Sequence, residues 1–155
     1  EDTWWDGSEY HARVWTDLPR PSYTYDEDAN GAFYIRNSDN IENDRASEYV
    51  VVEFRLQAPR QKGDVYINGM WTNNQYIPQY IMTYNEIDRQ YEAKVKLKQG
   101  YYSYRYVVVD NDRPLPVTSE GNFFQTENTY QALVYYRGIG QRTDLLVGYK
   151  DLKFK

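Results

Sequence analysis

The alternation of apolar and polar residues constrains the fold of this chain more than any other sequence feature. Between Tyr91 and Lys98, one set of alternate residues is apolar and the other set is charged. Successive side chains of a strand point to opposite faces of a sheet, so the pattern predicts a strand with one buried and one solvated face. The chain has 18 tyrosines, and many of them fall in runs of this kind. We therefore predict an all-β protein.

Similar patterns predict about seven strands between residues 48 and 155. The predicted strands are 48–56, 65–67, 81–84, 91–98, 101–109, 129–136 and 145–149. Gln99 and Gly100 separate two alternating runs, which predicts a hairpin. Short strands in this number and spacing are typical of an immunoglobulin-like β-sandwich. The side chains expected in its core include Val95, Leu97, Tyr104, Tyr106 and Val134.

The first 46 residues differ from the rest in composition. Trp4, Trp5 and Trp15 are interspersed with Pro19 and Pro21, and only residues 32–36 show a strand pattern. We interpret residues 1–46 as an N-terminal extension that packs on a sandwich formed by residues 47–155. Three tryptophans are costly to leave in water together, so we expect them to cover a sheet edge or an adjoining domain.

Charge and cysteine content exclude several kinds of function. The formal net charge of −5 and the pI near 4.9 weigh against a nucleic-acid partner, because phosphate binding requires a concentrated positive surface. The chain has no cysteine, which excludes disulfides and thiolate chemistry. No apolar run approaches the roughly 20 residues that a membrane helix needs.

Catalytic and metal-binding patterns are weak. His11 is the one histidine, and neither a nucleophile motif nor a local partner accompanies it, so we predict no catalytic residue and no enzyme. Asp26, Asp28 and Asn30 match the opening of a calcium loop, but the twelfth position is Asn37 where such loops need a glutamate. Asp, Asn and Gly are also the residues that turns select, so we predict an ordinary turn, no metal and no cofactor.

Part of the chain resembles the early-set immunoglobulin modules that include glycogen- and starch-binding domains. The resemblance lies in residues 64–73, 82–85, 97–104 and 107–110. It implies a sandwich fold and, as an alternative function, a carbohydrate-binding module. The sugar-stacking aromatics of those modules usually follow the first turn and the end of the second strand. This chain has Asn74 or Gln75 near the first place and Arg113 near the second.

A second resemblance covers most of the chain. The segments 97–107, 119–137 and 140–149 resemble, in the same order, the C-terminal region of the type IX secretion system plug proteins of the Bacteroidetes. This family was formerly a domain of unknown function, and its members are longer. The resemblance implies a periplasmic, non-enzymatic protein, associated with the outer membrane, that docks on the secretion pore and closes its periplasmic opening.

Two loops carry the residues that we expect to contact such a partner. Trp71, Tyr76 and Tyr80 lie in a long loop between two predicted strands, and Arg137 and Arg142 flank a glycine-containing turn. Aromatic residues and arginine dominate binding hot spots because each buries a large area on association. The alternative for Trp71 is a packing role in the core of the sandwich.

Overall fold

The computed structural model describes residues 2–25, 29, 31–117, 123–125 and 128–154. Its strands are β1 (Asp2–Trp5), β2 (Tyr10–Arg13), β3 (Phe33–Ile35), β4 (Tyr49–Leu56), β5 (Asp64–Asn68), β6 (Ile81–Asn85), β7 (Gln90–Lys98), β8 (Gly100–Tyr102), β9 (Arg105–Asp110), β10 (Arg113–Pro116), β11 (Asn128–Tyr136) and β12 (Leu145–Phe154). The helical elements in the described ranges are α1 (Asn43–Ala46) and the 3₁₀ turns Met70–Thr72 and Pro78–Tyr80. The all-β prediction is confirmed.

The chain forms two compact units. The first comprises Glu1–Pro21 and Asp26–Gly121, and the second comprises Ser22–Tyr25 and Asn122–Lys155. The second unit contains the two-stranded antiparallel sheet of β11 and β12. Strands from both sides of residue 46 belong to the first unit, since β2 pairs in parallel with β4.

One mixed sheet of eight strands forms most of the first unit, in the order β1-β2-β4-β7-β6-β5-β9-β10. β6 connects the two halves of this sheet because it changes partner along its length. Ile81 and Met82 pair with β5, whereas residues 83–85 pair with β7. This exchange of partners is consistent with a β-sandwich. The assignment of the sandwich to the immunoglobulin-like class stays a prediction.

The hydrophobic core unites side chains from both halves of the sheet. Phe54 and Leu56 of β4 and Val95 of β7 cluster with Ile67 of β5 and Tyr106 of β9, and each of the five is at most 2% exposed. The burial of Val95 and Tyr106 confirms two of the predicted core residues. Leu97 and Tyr104 are half-buried and pack against this cluster.

A row of charged side chains stabilises the opposite face of the same strands. Glu53 on β4 accepts hydrogen bonds from Arg13 on β2, at 3.0 Å, and from Lys94 on β7, at 2.7 Å. The three residues are direct register partners. Burial raises the pKa of Glu53, but the bonds to Lys94 and Arg13 outweigh it and leave the pKa below the usual value of 4.5.

Asp17 fixes the segment after β2 to the core. Its backbone N–H donates to Arg55 O at 2.9 Å, and its carboxylate accepts bonds from the hydroxyls of Tyr104 at 3.0 Å and Tyr106 at 2.5 Å. Burial, together with Tyr104 and Asp17, raises the pKa of the Tyr106 hydroxyl. Tyr106 therefore stays protonated and donates to Asp17, so the buried hydroxyl is satisfied.

The predicted hairpin at Gln99-Gly100 is wrong. β7 pairs with β4 and β6, β8 pairs with β3, and β9 pairs with β5 and β10. A Cβ at position 100 would lie 2.4 Å from Tyr34 O, so glycine is required by the close approach of β3. The glycine that indicated a turn in the sequence instead permits a close contact between strands.

Three further details differ from the sequence predictions. Val134 was expected in the core but is 56% exposed, because β11 pairs with β12 in the second unit and does not join the large sheet. β1 and β2 have four residues each, too few to show an alternating pattern in the sequence. β10 was missed because it contains Pro114 and Pro116, which an edge strand tolerates.

The core predicts a large difference between two isoleucine substitutions. Ile67 is fully buried, whereas Ile87 is 92% exposed in a turn. Ile67→Ala should lower the free energy of unfolding by about 2–5 kcal/mol, through lost burial and the cavity left behind. Ile87→Ala should change it by less than about 0.5 kcal/mol. Urea denaturation of both variants measures the difference, and equal losses would contradict the described core.

The charged row predicts a pH-dependent contribution to stability. Folding lowers the pKa of Glu53. Its contribution to the free energy of unfolding is therefore complete when the pH lies above the pKa of the unfolded chain. This contribution is lost as the pH falls through the lower pKa of the folded protein. Glu53→Gln should therefore reduce the free energy of unfolding at about pH 7 more than at about pH 3. Urea denaturation at both values gives the comparison, with Glu92→Gln as a control on β7. A pH-independent loss would argue against the ion pairs.

Candidate docking site

The β11–β12 hairpin carries exposed apolar side chains on both faces. The antiparallel register runs from Asn128↔Phe154 to Tyr136↔Leu145, with an irregularity between Val134 and Tyr135. Ten of its large apolar side chains are 38–59% exposed: Tyr130, Leu133, Val134, Tyr135, Tyr136, Leu145, Leu146, Val147, Tyr149 and Leu152. An isolated two-stranded hairpin is only marginally stable in water. Contact of these apolar side chains with another surface would therefore stabilise it.

The tip of the hairpin is held in a defined shape. The Arg137 guanidinium donates two hydrogen bonds to the Asp144 carboxylate, at 2.6 and 2.9 Å. The Gly138 N–H donates to Gln141 Oε1 at 3.1 Å, and the Gln141 backbone N–H donates to Gly138 O at 3.1 Å. Gly140 has φ +82°, a backbone conformation that favours glycine.

Two side chains at the tip are directed to solvent. Ile139 is fully exposed, and Arg142 is exposed as well. Residues 137–144 contain two arginines and one aspartate, which leaves a net charge of +1. Since Arg137 is paired with Asp144, Arg142 carries this charge. The predicted contact residues Arg137 and Arg142 therefore both lie at the tip, and Arg142 is the better placed to meet an acidic partner.

Trp71 packs inside the first unit. Its Nε1–H donates to Ser103 O at 3.1 Å. Its ring lies 6.4 Å from Phe54, and it makes edge contacts with Tyr80 at 5.6 Å and Tyr102 at 5.7 Å. The side chain is half-buried against the core cluster. These contacts give Trp71 the packing role that the sequence left as its alternative.

The other two aromatics of this loop also have neighbours. Tyr80 meets the edge of Trp71, whereas Tyr76 meets Tyr66 of β5 at 5.6 Å. Both are half-buried. The structure thus brings Trp71 and Tyr80 together and pairs Tyr76 with a different ring. Their contact with a partner stays a prediction.

His11 has a defined environment in the N-terminal strands. Its Nε2 lies 2.8 Å from Asp6 Oδ2, and its ring stacks on Trp4 at 5.0 Å. Ser8 donates to Asp6 Oδ1 at 2.8 Å, so its hydroxyl and the imidazole share one carboxylate instead of bonding each other. Hydrogen bonds from the Glu9 and Ser8 N–H groups lower the pKa of Asp6. This is the geometry of a turn, not of a nucleophile beside its base.

The described part of the chain gives no cluster of three or more His, Cys, Asp or Glu side chains that is placed to hold a metal. Asp26, Asp28 and Asn30 of the calcium-like motif lie outside the described residues. Within those same described ranges, no helix has both the length and the apolar character needed to cross a membrane.

The sequence prediction missed the exposed faces of the hairpin. Ala132 to Tyr136 are five consecutive apolar residues, so they place apolar side chains on both faces of a strand. Such a run is typical of a strand covered on both sides. The run does not reveal that β11 belongs to a two-stranded sheet with both faces exposed, because that depends on its pairing with β12.

Comparison with solved structures shows a similar fold in a longer bacterial protein. A crystal structure of a hypothetical protein from Parabacteroides merdae superimposes with a TM-score of 0.89 and 37% sequence identity. The alignment covers 99% of this chain and 40% of that chain, so the chain spans less than half the length of the protein it matches. No protein-family model matches the chain, and no curated protein matches it.

The contacts of Trp71 predict that it stabilises the fold. Trp71→Ala should lower the free energy of unfolding by about 3 kcal/mol, since the variant loses packing against several rings. Trp71→Phe should lose about 1 kcal/mol, mainly the bond to Ser103. Trp15 is 76% exposed, so Trp15→Ala serves as the control with little effect. Thermal and urea denaturation measure the stability of the three variants. An unchanged free energy of unfolding for Trp71→Ala would contradict the packing role of Trp71.

Proposed function

We propose that this chain is a non-enzymatic interaction module of a periplasmic plug protein, which docks on an outer-membrane secretion pore and closes its periplasmic opening. The observation that carries the proposal is the β11–β12 hairpin, whose apolar side chains are exposed on both faces. Apolar patches of this kind mark interaction sites in soluble proteins. The resemblance of residues 97–107, 119–137 and 140–149 to the plug proteins supplies the identity of the partner.

The composition of the hairpin suits a protein partner. Its exposed residues include Tyr130, Tyr135, Tyr136 and Tyr149, and tyrosine is enriched where binding energy is concentrated. A tyrosine buries a large area and loses few rotatable bonds, so association costs little conformational entropy. The ordered tip reduces this cost further, because its backbone does not have to be fixed on binding.

The tip adds a charged element to this surface. Arg142 is exposed and carries the net positive charge of residues 137–144. An acidic patch on the pore would attract it, increase the rate of association and orient the hairpin. Arg137 contributes mainly by holding the shape of the turn through Asp144.

The carbohydrate-binding alternative is less well supported at the places that the early-set resemblance implies. Asn74 and Gln75 are exposed but not aromatic, and so is Arg113. Trp71 lies three residues before Asn74, and its ring contacts three other rings. A flat aromatic face open to a sugar is therefore not offered by these residues.

Capture of the pore tests the proposal. We expect the tagged protein to capture an outer-membrane secretion pore subunit, identified by mass spectrometry, from the detergent-solubilised envelope of its native cell. Ile139→Asp should reduce capture about tenfold or more, equivalent to about 1.4 kcal/mol, because it places a charge at the apolar tip. Ile87→Asp is the matched control, since Ile87 is equally exposed but lies in the first unit.

Charge reversal gives a second readout. Arg142→Glu should also reduce capture, and capture of the unmodified protein should weaken as the ionic strength rises. The melting temperature should be unchanged, because the side chain is exposed. Failure to capture any pore subunit would overturn the proposed function. Capture that survives Ile139→Asp would instead remove the tip from the docking surface.

A further inference from the structure

The small β3–β8 sheet presents two different pairs of aromatic rings, one on each face. The rings of Phe33 and Tyr102 stack at 5.6 Å, and Tyr102 also contacts Trp71. The rings of Tyr34 and Tyr101 stack at 5.3 Å with an interplanar angle of 12°. Neighbouring residues of a strand point to opposite faces, so the second pair faces away from Trp71. Tyr34 and Tyr101 are 48% and 39% exposed.

A groove begins at this exposed pair. Two open depressions of about 240 and 360 Å³ share Asn37, Ser38 and Gln99 and therefore form one continuous surface. Tyr34, Arg36 and Tyr101 line the first depression. The second is lined in addition by Asp39, Ile41, Glu42 and Ala46.

The groove is held in a fixed shape before any ligand binds. The Asn37 amide donates to Ile41 O at 2.7 Å and accepts from the Ile41 N–H at 3.3 Å. The Asn37 N–H donates to Asn43 Oδ1 at 3.1 Å, and the Arg36 N–H donates to Gln99 O at 3.0 Å. The three bonds of Asn37 fold residues 37–43 on themselves, and the Arg36 bond joins this segment to the opposite wall at Gln99. A preorganised site binds with a smaller entropic cost.

From this arrangement we propose that the groove binds a neutral oligosaccharide. The C–H groups on one face of a pyranose ring fit the electron-rich face of a tyrosine. Tyr34 and Tyr101 cover one face of each other's ring, so a sugar would stack on an outer face of this partly exposed pair. Hydroxyl groups both donate and accept hydrogen bonds, which matches the mixed set of donors and acceptors along the groove. The two linked depressions suit a chain of sugar rings better than a single compact ligand.

The charges and donors of the groove disfavour other ligands. The groove is lined by one arginine, Arg36, and by two carboxylates, Asp39 and Glu42, so a phosphate would meet more negative than positive charge. A proline-rich peptide also docks on aromatic grooves, but proline has no N–H and offers mainly carbonyl acceptors. The carboxylates of Asp39 and Glu42 would then lack donors, whereas sugar hydroxyls supply them.

Calorimetric titration of the intact chain tests this site. The probes are maltohexaose, cellohexaose and chitohexaose, with a proline decapeptide as a competing class of ligand. We expect at least one hexasaccharide to bind with a Kd of about 1 mM or tighter. Tyr101→Ala should weaken this binding about tenfold or more, and Tyr101→Phe should retain most of it because the ring face remains.

Two further variants separate binding from folding. Gln99→Ala removes an exposed side chain and leaves the backbone bond to Arg36, so it should weaken binding several-fold without changing the melting temperature. Tyr10→Ala is the control, since Tyr10 is an exposed tyrosine elsewhere in the first unit, and it should leave binding unchanged.

Three results would overturn the proposal. The first is no binding of any hexasaccharide at about 10 mM, well above the expected Kd. The second is binding that survives both Tyr101→Ala and Gln99→Ala. The third is binding of the proline peptide alone. Oligosaccharide binding at this groove does not depend on pore docking, so the result of one test does not decide the other.

Discussion

The antiparallel pairing of β4 with β7 is the interaction on which the rest of the first unit depends. It runs without interruption from Tyr49↔Lys98 to Leu56↔Tyr91. One face supplies Phe54 and Val95 to the core, and the other carries the charged row centred on Glu53. β2 pairs with β4 on one side and β6 pairs with β7 on the other, so this pair lies at the centre of four adjacent strands of the large sheet.

Tyrosine has three structural roles in this protein. Tyr106 is buried and satisfies its hydroxyl on Asp17, which is how a polar aromatic enters a core without an unpaired group. Tyr102 and Tyr80 pack on the edges of Trp71. Tyr34 and the tyrosines of the hairpin remain exposed. One residue type thus serves the core and the surfaces because it has both an apolar ring and a polar end.

Both candidate surfaces are built on two-stranded sheets. In the second unit the β11–β12 ribbon exposes both of its faces and carries Ile139 and Arg142 at its tip. In the first unit the β3–β8 pair covers Trp71 with one face and exposes Tyr34 with the other. A sheet of two strands cannot bury both faces by itself, so side chains that are core residues elsewhere become available for binding.

The sequence by itself determined the all-β class and the positions of most strands, because the alternation of side chains is a local property of an extended chain. It also indicated the turn that holds Arg137 and Arg142. Tertiary structure decided which strands pair, and it gave Gly100 a close contact instead of a turn. It also decided that Val134 is exposed while Val95 is buried, although the sequence predicts a core position for both. Burial depends on which surface a strand meets, and that surface comes from residues distant in the sequence.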